Sequence, residues 1–296
     1  MSASPPLAEG YTTGTAHPLY WCRYAPPAPR GRLLVLHGGP GAQHDYLLPQ
    51  MLELARDREC IFYDQRGGGR SRTDDREPIT WRTHVEDLSA VIAELSPGPL
   101  TLVGYSWGGM LALLYAIEAA ADRVGPSPAR LLLLEPAPLS RAWRTEFEAE
   151  FARRQAGPAI SGLRAELAAS GIRERDPEAY RARMFALSVA GYFADPARAT
   201  DLTPFRVTAR VQQSVWESLG DFDLIPALRD LRIPSLVVHG RQDPIPIASS
   251  MAAANALAAE SCWLDACGHV PYVERGDALF PALRLFLDNT ESLVTT

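Results

Sequence analysis

The sequence of 296 residues contains no lysine, so all 29 of its basic side chains are arginines. They face 35 acidic side chains, which gives a formal net charge of −6. Affinity for nucleic acids depends on clustered basic side chains that neutralise phosphates and release counterions. An acidic chain without basic clusters therefore argues against a nucleic-acid partner.

The sequence is also poor in the patterns that hold metals and cofactors. None of its four cysteines forms a CxxC pair, and its six histidines show no HExxH spacing. The glycines at 67–69 do not have the spacing of a dinucleotide-binding loop. We therefore predict that the protein uses no metal or cofactor, and we expect His17, His44 and His84 at the surface or in loops.

No long uninterrupted hydrophobic run is present. The most apolar long window, 100–117, contains Gly104, Ser106, Gly108 and Gly109, which suits a strand, a turn and a helix better than a membrane span. The opening MSASPPLAEG lacks the cationic and apolar regions of a secretory signal. We expect a cytoplasmic protein with reduced thiols and no membrane partner; the sequence does not predict an oligomeric state.

Short apolar runs alternate with helical stretches along much of the chain. Continuous apolar runs suit strands that are covered on both faces, so the pattern predicts an α/β fold with a mostly parallel sheet between helices. The runs are 33–36, 60–63, 100–103, 131–134, 235–239 and 261–264. Ahead of them, 11–15 and 19–24 predict an antiparallel hairpin at the edge of the sheet.

The strand pattern is absent between 137 and 230, where the sequence is helical. Apolar residues recur at every fourth position: Trp143, Phe147 and Phe151, and again Val207, Val211, Val215 and Leu219. Asp176–Pro177 and Thr203–Pro204 have the residue types that begin helices. We therefore predict a core of residues 1–136 and 231–296, interrupted by a helical cap subdomain at 137–230.

The motif GYSWGG at 104–109 lies between a predicted strand and a helix. G-x-S-x-G in that setting is a nucleophile elbow, a sharp turn that projects its serine from the carboxyl edge of the sheet. The helix that follows places backbone N–H groups and a positive dipole end beside the serine. The motif predicts Ser106 as a catalytic nucleophile.

A serine nucleophile needs a general base that is oriented by a third group. In elbow-containing folds the chain order is serine, acid and histidine. Asp243 and His269 follow the last two predicted strands in that order, at the same sheet edge as Ser106. We predict these three residues as the catalytic triad, with Asp265 and Asp223 as competing acids.

An oxyanion hole needs two backbone donors aimed where negative charge develops. The residue after the nucleophile, Trp107, supplies one predicted donor. The loop HGGPG at 37–41 follows the first buried strand, and we assign the second donor to Gly39. We expect His37 to order this loop by hydrogen bonding.

Three motifs now occur in order: HGGPG at 37–41, DQRGGGRS at 64–71 and GYSWGG at 104–109. Together they resemble the proline iminopeptidase family of α/β-hydrolases. The resemblance implies an α/β-hydrolase fold with a helical cap, and a serine exopeptidase that releases an N-terminal residue, often proline, from short peptides. We expect Asp64 and Arg66 to brace loops around the site.

The sequence departs from this family where the substrate's ammonium group is bound. Such peptidases commonly use a Glu in an Asn-Glu-Phe pattern, or a Glu directly after the catalytic Asp. Here Pro244 follows Asp243, and the comparable cap stretch contains neutral Gln212. Candidate substrate-binding residues are Glu135, Glu146, Trp216 and Glu217. The alternative is an esterase, lactonase or amidase for small uncharged acyl groups; an intact triad argues against a scaffold without turnover.

Overall fold

The computed structural model describes residues 5–74, 76–96 and 98–291. Its eight strands form one sheet in the order β1-β2-β4-β3-β5-β6-β7-β8. The strands are β1 Ala8–Tyr11, β2 Tyr20–Tyr24, β3 Arg32–Leu36, β4 Glu59–Tyr63, β5 Thr101–Tyr105, β6 Arg130–Leu134, β7 Ser235–Gly240 and β8 Glu260–Leu264. β2 runs antiparallel to β1 and β4, and the other neighbouring pairs are parallel. The mostly parallel sheet is confirmed.

Helices cover both faces of the sheet. They are α1 Trp81–Leu95, α2 Trp107–Ala120, α3 Arg141–Gln155, α4 Pro158–Ala169, α5 Ile172–Arg175, α6 Pro177–Val189, α7 Ala209–Ser218, α8 Ile225–Leu228, α9 Ile247–Leu257, α10 Pro271–Glu274 and α11 Gly276–Glu291. Short 3-10 segments occur at Asp45–Leu47, Gln50–Arg56, Ala190–Tyr192 and Pro196–Asp201. Among the described residues no helix is long and apolar enough to cross a lipid bilayer.

Successive residues of the central strands bury their side chains in opposite layers. Leu34 belongs to the cluster that contains residues of α1, α2 and α9, whereas Val35 belongs to the cluster that contains residues of α11. This alternation follows from the two-residue repeat of a strand. It explains why the strands are apolar along their whole length.

The edge hairpin forms, but its first strand is earlier in the chain than predicted. β1 ends at Tyr11, so the prediction of a strand at 11–15 is wrong. The backbone N–H groups of Thr13 and Gly14 donate to the Glu94 carboxylate on α1. Thr12 Oγ1 accepts the N–H of Leu19 at 2.9 Å. These bonds hold the segment as a turn.

The predicted helical insertion is present between β6 and β7, where α3 to α8 lie. Asp176 caps α6 by accepting the N–H of Ala179 at 3.0 Å, as its sequence predicts. The predicted helix start at Thr203–Pro204 is wrong, because Thr203 Oγ1 instead donates to Leu48 O at 3.1 Å and α7 begins at Ala209. The division into a core and a cap at 137–230 stays a prediction.

Candidate active site

Ser106 lies at the turn between β5 and α2. Its backbone has φ 54° and ψ −119°, a conformation that residues with a side chain rarely adopt. The Ser106 carbonyl accepts the N–H groups of Gly109 at 2.9 Å and Ala137 at 3.0 Å. The surrounding backbones are so close that a Cβ on Gly104 would lie 2.4 Å from the Gly108 carbonyl oxygen. The glycines of the motif thus allow a strained turn that presents the hydroxyl.

Three side chains from distant parts of the chain form one hydrogen-bonded line. His269 Nε2 lies 2.9 Å from Ser106 Oγ, and His269 Nδ1 lies 2.7 Å from Asp243 Oδ2. With Nδ1–H donating to the carboxylate, the Nε2 lone pair faces the serine hydroxyl. The predicted convergence of the three segments is present, and their catalytic roles remain predictions.

Hydrogen bonds from neighbouring segments hold His269 and Asp243 in place. His269 N–H donates to the carbonyl of Tyr192 in the helical insertion at 2.7 Å, and the Tyr105 hydroxyl donates to His269 O at 2.8 Å. Asp243 Oδ1 accepts the N–H of Ile245 at 2.7 Å. Burial alone would raise the pKa of Asp243, but the neighbouring histidines His269 and His239 hold it below its usual value.

The two competing acids lie away from this line. Asp265 is exposed and pairs with Arg241 at 3.0 Å. Asp223 is also exposed, and its carboxylate accepts the N–H of Ile225. Neither has a contact with His269 among the described residues. Of the three candidate acids, Asp243 is therefore the one that contacts His269.

The two predicted oxyanion donors flank Ser106. Gly39 lines the same cavity as Ser106 and has φ 60°, a left-handed conformation that favours glycine. Trp107 is the first residue of α2. Neither backbone N–H has a hydrogen-bond partner among the described residues, which leaves both free to meet a developing oxyanion. Their role remains a prediction.

His37 holds the loop that contains Gly39. Burial lowers the pKa of His37 to about 4, so its ring is neutral at pH 7. Nδ1–H donates to Gly38 O at 2.9 Å, while Nε2 accepts the N–H of Gln65 at 3.1 Å. Gln65 Oε1 in turn accepts Trp107 Nε1–H at 2.9 Å. One hydrogen-bond chain thus connects both sides of the predicted oxyanion hole.

Asp64 and Arg66 have the bracing contacts that their motif predicts. Asp64 Oδ1 accepts both the backbone N–H and Nδ1–H of His44, at 2.9 and 2.7 Å, and Oδ2 accepts the N–H of Arg70 at 2.8 Å. Arg66 Nε donates to Asp87 at 2.9 Å. His44 thus lies in a loop, as expected, but it is buried there rather than at the surface.

His84 is buried within α1, so the prediction of a surface or loop position is wrong for this histidine. It lies on α1 with its ring edge-on to Trp107, 6.0 Å between centroids, and burial lowers its pKa to about 3. A lone histidine does not reveal from the sequence which helix face it occupies, so its burial required the tertiary structure. His17 is partly exposed in the loop between β1 and β2, as expected.

The His44–Asp64 pair predicts a pH dependence of stability. Burial disfavours the charged ring, but the hydrogen bonds and electrostatic interactions with Asp64 and Cys22 together outweigh it and raise the pKa of His44 to about 10. The stabilisation from the charged His44 is then complete below the pKa of histidine in the unfolded chain, near 6.5, and it is lost as pH rises through the folded-state pKa of about 10. We expect the free energy of unfolding to fall by about 2–4 kcal/mol between pH 6.5 and 10, measured by urea denaturation. A His44→Asn variant showing the same fall would contradict this origin.

A cavity of about 300 Å³ opens beside Ser106 and His269. Its walls come from the sheet edge, the 3-10 segments and α6, and they are mostly aromatic or aliphatic. Besides those two residues and Gly39, the lining consists of Tyr46, Tyr105, Phe185, Ser188, Val189, Tyr192, Leu202, Phe205, Val207, Gln212, Val270 and Tyr272. This lining contains no Asp, Glu or Arg. The sequence predicted few of these residues, because tertiary packing decides which side chains of these helices and connecting segments face the cavity.

The predicted substrate-binding residues do not line this cavity. Trp216 and Glu217 on α7 line a neighbouring cavity of about 440 Å³, which shares Gln212 with the first. Trp216 packs edge-on against Trp107, 5.6 Å between ring centroids. Glu217 Oε1 accepts Gln213 Nε2–H at 2.7 Å. The two residues therefore lie next to the Ser106 cavity rather than in it.

The other two predicted substrate-binding residues, Glu135 and Glu146, do not line the cavity either. Glu135 is completely buried, and its Oε1 accepts the N–H of Gly240 at 2.8 Å. It lies on the far side of Asp243, so it does not stand at the entrance of the cap as predicted. Glu146 is exposed on α3.

Glu135, His239 and Asp243 form the group of potential metal ligands among the described residues, with ligand atoms within 4.8 Å of one another. Each is already engaged by the protein. His239 Nε2 lies 3.1 Å from Ile245 O, and its Nδ1 lies 2.9 Å from Ser250 Oγ. A cation here would also compete with His269 for Asp243. The arrangement therefore suits hydrogen bonding rather than metal binding.

Comparison with known proteins gives concordant results. The sequence model described as "Alpha/beta hydrolase family" matches residues 33–282. The proline iminopeptidase of Lactobacillus crispatus (strain ST1) is 28% identical over 278 residues, covering 86% of this chain and 89% of that protein. The resemblance indicated by the three motifs is thereby confirmed.

Solved structures share the fold. The proline iminopeptidase of Mycobacterium smegmatis aligns with a TM-score of 0.71 at 20% identity, covering 97% of this chain and 100% of that one. The enol-lactonase of Burkholderia xenovorans LB400 aligns with a TM-score of 0.63 at 21% identity, covering 94% and 100%. The predicted fold class is confirmed.

Proposed function

The chain belongs to the alpha/beta hydrolase family, and we propose that it is a serine hydrolase that works through an acyl-enzyme intermediate. The observation that carries this proposal is the hydrogen-bonded line from Ser106 Oγ through His269 to Asp243, with distances of 2.9 and 2.7 Å. A strained serine at a strand–helix turn, in contact with an oriented histidine, is the arrangement that activates a hydroxyl for acyl transfer.

Each residue of the line has a defined task in this mechanism. Ser106 attacks the substrate carbonyl while His269 Nε2 accepts the hydroxyl proton, and the Asp243 carboxylate stabilises the resulting imidazolium. The N–H groups of Gly39 and Trp107 donate to the oxyanion. The imidazolium then protonates the leaving group, and water, deprotonated by His269, releases the acyl group from Ser106.

The cavity supports an uncharged, largely apolar acyl group. Its lining combines aromatic rings such as Phe185 and Phe205 with the neutral amide of Gln212 and contains no carboxylate. Burying a charged ammonium there without a counter-charge would cost several kcal/mol. The substrates that suit this cavity best are esters, lactones or amides of small uncharged acids.

The second candidate is an exopeptidase that releases N-terminal residues such as proline. Its support is the proline iminopeptidase relative at 28% identity. Its ammonium partner would come from the neighbouring cavity, where Glu148 and Glu217 lie beyond Gln212. Glu148 is already paired with Arg144 at 2.7 Å, which leaves Glu217 as the better candidate.

A paired assay separates the two candidates. We expect N-acetylated prolyl and alanyl arylamides and p-nitrophenyl esters to be hydrolysed with kcat/KM at least about tenfold above the free-amine arylamides, because an unpaired ammonium resists burial. Turnover confined to free amines would contradict this and establish the exopeptidase. In that case Glu217→Gln would lower turnover of free amines while Glu146→Gln, on the exposed face of α3, would not.

A further inference from the structure

A second buried carboxyl group lies directly behind the predicted triad. Glu135 follows β6 with φ 46°, a strained value for a residue with a side chain, and its side chain is fully buried. Oε1 accepts the N–H of Gly240 at the end of β7. The carboxyl group is thus held against the strand that contains His239 and leads into Asp243.

The hydrogen bonds of His239 determine which of its ring nitrogens carries the proton. Nε2 lies 3.1 Å from the carbonyl oxygen of Ile245, which can only accept, so Nε2 carries the hydrogen. Burial lowers the pKa of His239, which keeps the ring neutral. Nδ1 therefore presents a lone pair, and it faces Ser250 Oγ at 2.9 Å and Glu135 Oε2 at 3.2 Å.

Glu135 Oε2 faces this lone pair and has no hydrogen-bond partner if it is ionised. Two acceptors 3.2 Å apart in a buried site would repel each other, whereas a proton on Oε2 converts the contact into a hydrogen bond. Burial and the charge of Asp243 raise the pKa of Glu135 well above its usual range. Hydrogen-bond geometry and electrostatics therefore agree on a neutral carboxylic acid.

We propose that Glu135 is a positioning residue of the active site: as a neutral acid it presents a donor on Oε2 to the buried cluster of His239 and Asp243, and it leaves Asp243 as the negative charge that faces His269. This role rests on the proposed function of Asp243 and His269. His239 Nε2 lies 3.8 Å from Asp243 Oδ2, so fixing the ring also restricts the carboxylate.

The neutral state of Glu135 matters for the base. Besides Asp243 and His239, the titratable groups near it are Glu274 of α10, the thiol of Cys267 and the hydroxyl of Tyr105. Glu274 accepts the N–H groups of Gly268 and Ala194, as an ionised carboxylate would. A further negative charge on Glu135 would favour the protonated form of His269 and prevent it from accepting the serine proton at neutral pH.

Two substitutions test the role by activity. The amide of Glu135→Gln is neutral and can donate the same hydrogen bond, so we expect kcat/KM within about threefold of wild type and an unchanged acidic limb of the pH profile. Glu135→Ala lacks the donor, and we expect kcat to fall about 10- to 100-fold with KM nearly unchanged. Without this donor the Asp243 carboxylate presents more of its negative charge to His269, so the acidic limb of Glu135→Ala should move to higher pH. Equal losses in both variants, or no loss in either, would overturn the positioning role.

Infrared spectroscopy tests the protonation state without depending on activity. We expect wild type at pH 7 to show the carbonyl band of a protonated, buried carboxyl group that is absent in Glu135→Gln. Glu118→Gln is the matched control, because Glu118 is buried but paired with Arg123, and its replacement should leave that band unchanged. An unchanged band in Glu135→Gln would overturn the proposal even if Glu135→Ala failed to fold.

The outcomes also separate this proposal from the proposed function. Full activity of Ser106→Ala would contradict the serine mechanism, while the infrared difference would still report the state of Glu135. Loss of activity in Ser106→Ala, together with equal losses in the two Glu135 variants, would refute only the positioning role.

Discussion

Replacing Ser106 by alanine is expected to lower kcat/KM for an activated ester about 10⁴- to 10⁶-fold. The variant keeps the cavity and the predicted oxyanion donors but lacks the oxygen that forms the acyl-enzyme. Since His269 Nε2, at 2.9 Å, is the only hydrogen-bond partner of Ser106 Oγ within the described residues, removal of the hydroxyl should leave the fold intact. Initial rates and thermal unfolding of the purified variant would measure both effects.

Covalent labelling gives an independent measurement of the same substitution. A fluorophosphonate probe should label wild type and should not label Ser106→Ala. Ser214→Ala is a suitable control, because Ser214 lies on α7 outside the cavity, where its Oγ donates to Ile79 O at 2.8 Å. This variant should be labelled like wild type. Equal labelling of Ser106→Ala would refute Ser106 as the nucleophile.

The second large effect concerns stability. In Gly108→Ala the new Cβ would lie 2.1 Å from the Leu36 carbonyl oxygen and 2.8 Å from that of His37, both backbone atoms that cannot move aside. Alanine favours helices over glycine by about 1 kcal/mol, but this overlap between α2 and β3 costs more. We expect a loss of at least about 4 kcal/mol, measured by urea denaturation or as loss of soluble protein.

A matched glycine isolates the cause. Gly162 lies in α4 and is exposed, and a Cβ there would have no atom within 4 Å. We expect Gly162→Ala to stabilise the protein by about 0.5–1 kcal/mol, because only helix propensity changes. If Gly108→Ala were as stable as wild type, the close packing of α2 on β3 would not be the reason for glycine in the motif.

The sequence predicts most of the sheet and the hydrogen-bonded line of Ser106, His269 and Asp243, because both depend on local patterns. Apolar runs identify six of the eight strands to within one or two residues, although the edge strand β8 is not covered on both faces as predicted, and the strand–turn–helix setting singles out Ser106. Asp243 and His269 follow from the order of the loops at one sheet edge. Chain order and periodicity are sufficient for these features.

What the sequence does not predict depends on contacts between distant segments. The first strand is displaced because Glu94, far along the chain, binds the turn at Thr13 and Gly14. Glu135 looks like a surface acid at the start of the insertion, yet it is buried behind Asp243. His44 is buried for a similar reason, since its partner Asp64 is on another loop. Burial of single polar residues is a tertiary property.

The bond between His269 N–H and Tyr192 O has a consequence for protein engineering. Tyr192 belongs to the inserted region, yet it anchors the main chain of His269, the proposed catalytic base. A shortened protein without the insertion would therefore lose more than part of its cavity wall. The loop that contains His269 would also lose the hydrogen bond to Tyr192 O. Exchanging this insertion between relatives succeeds only where the donor segment supplies an equivalent carbonyl.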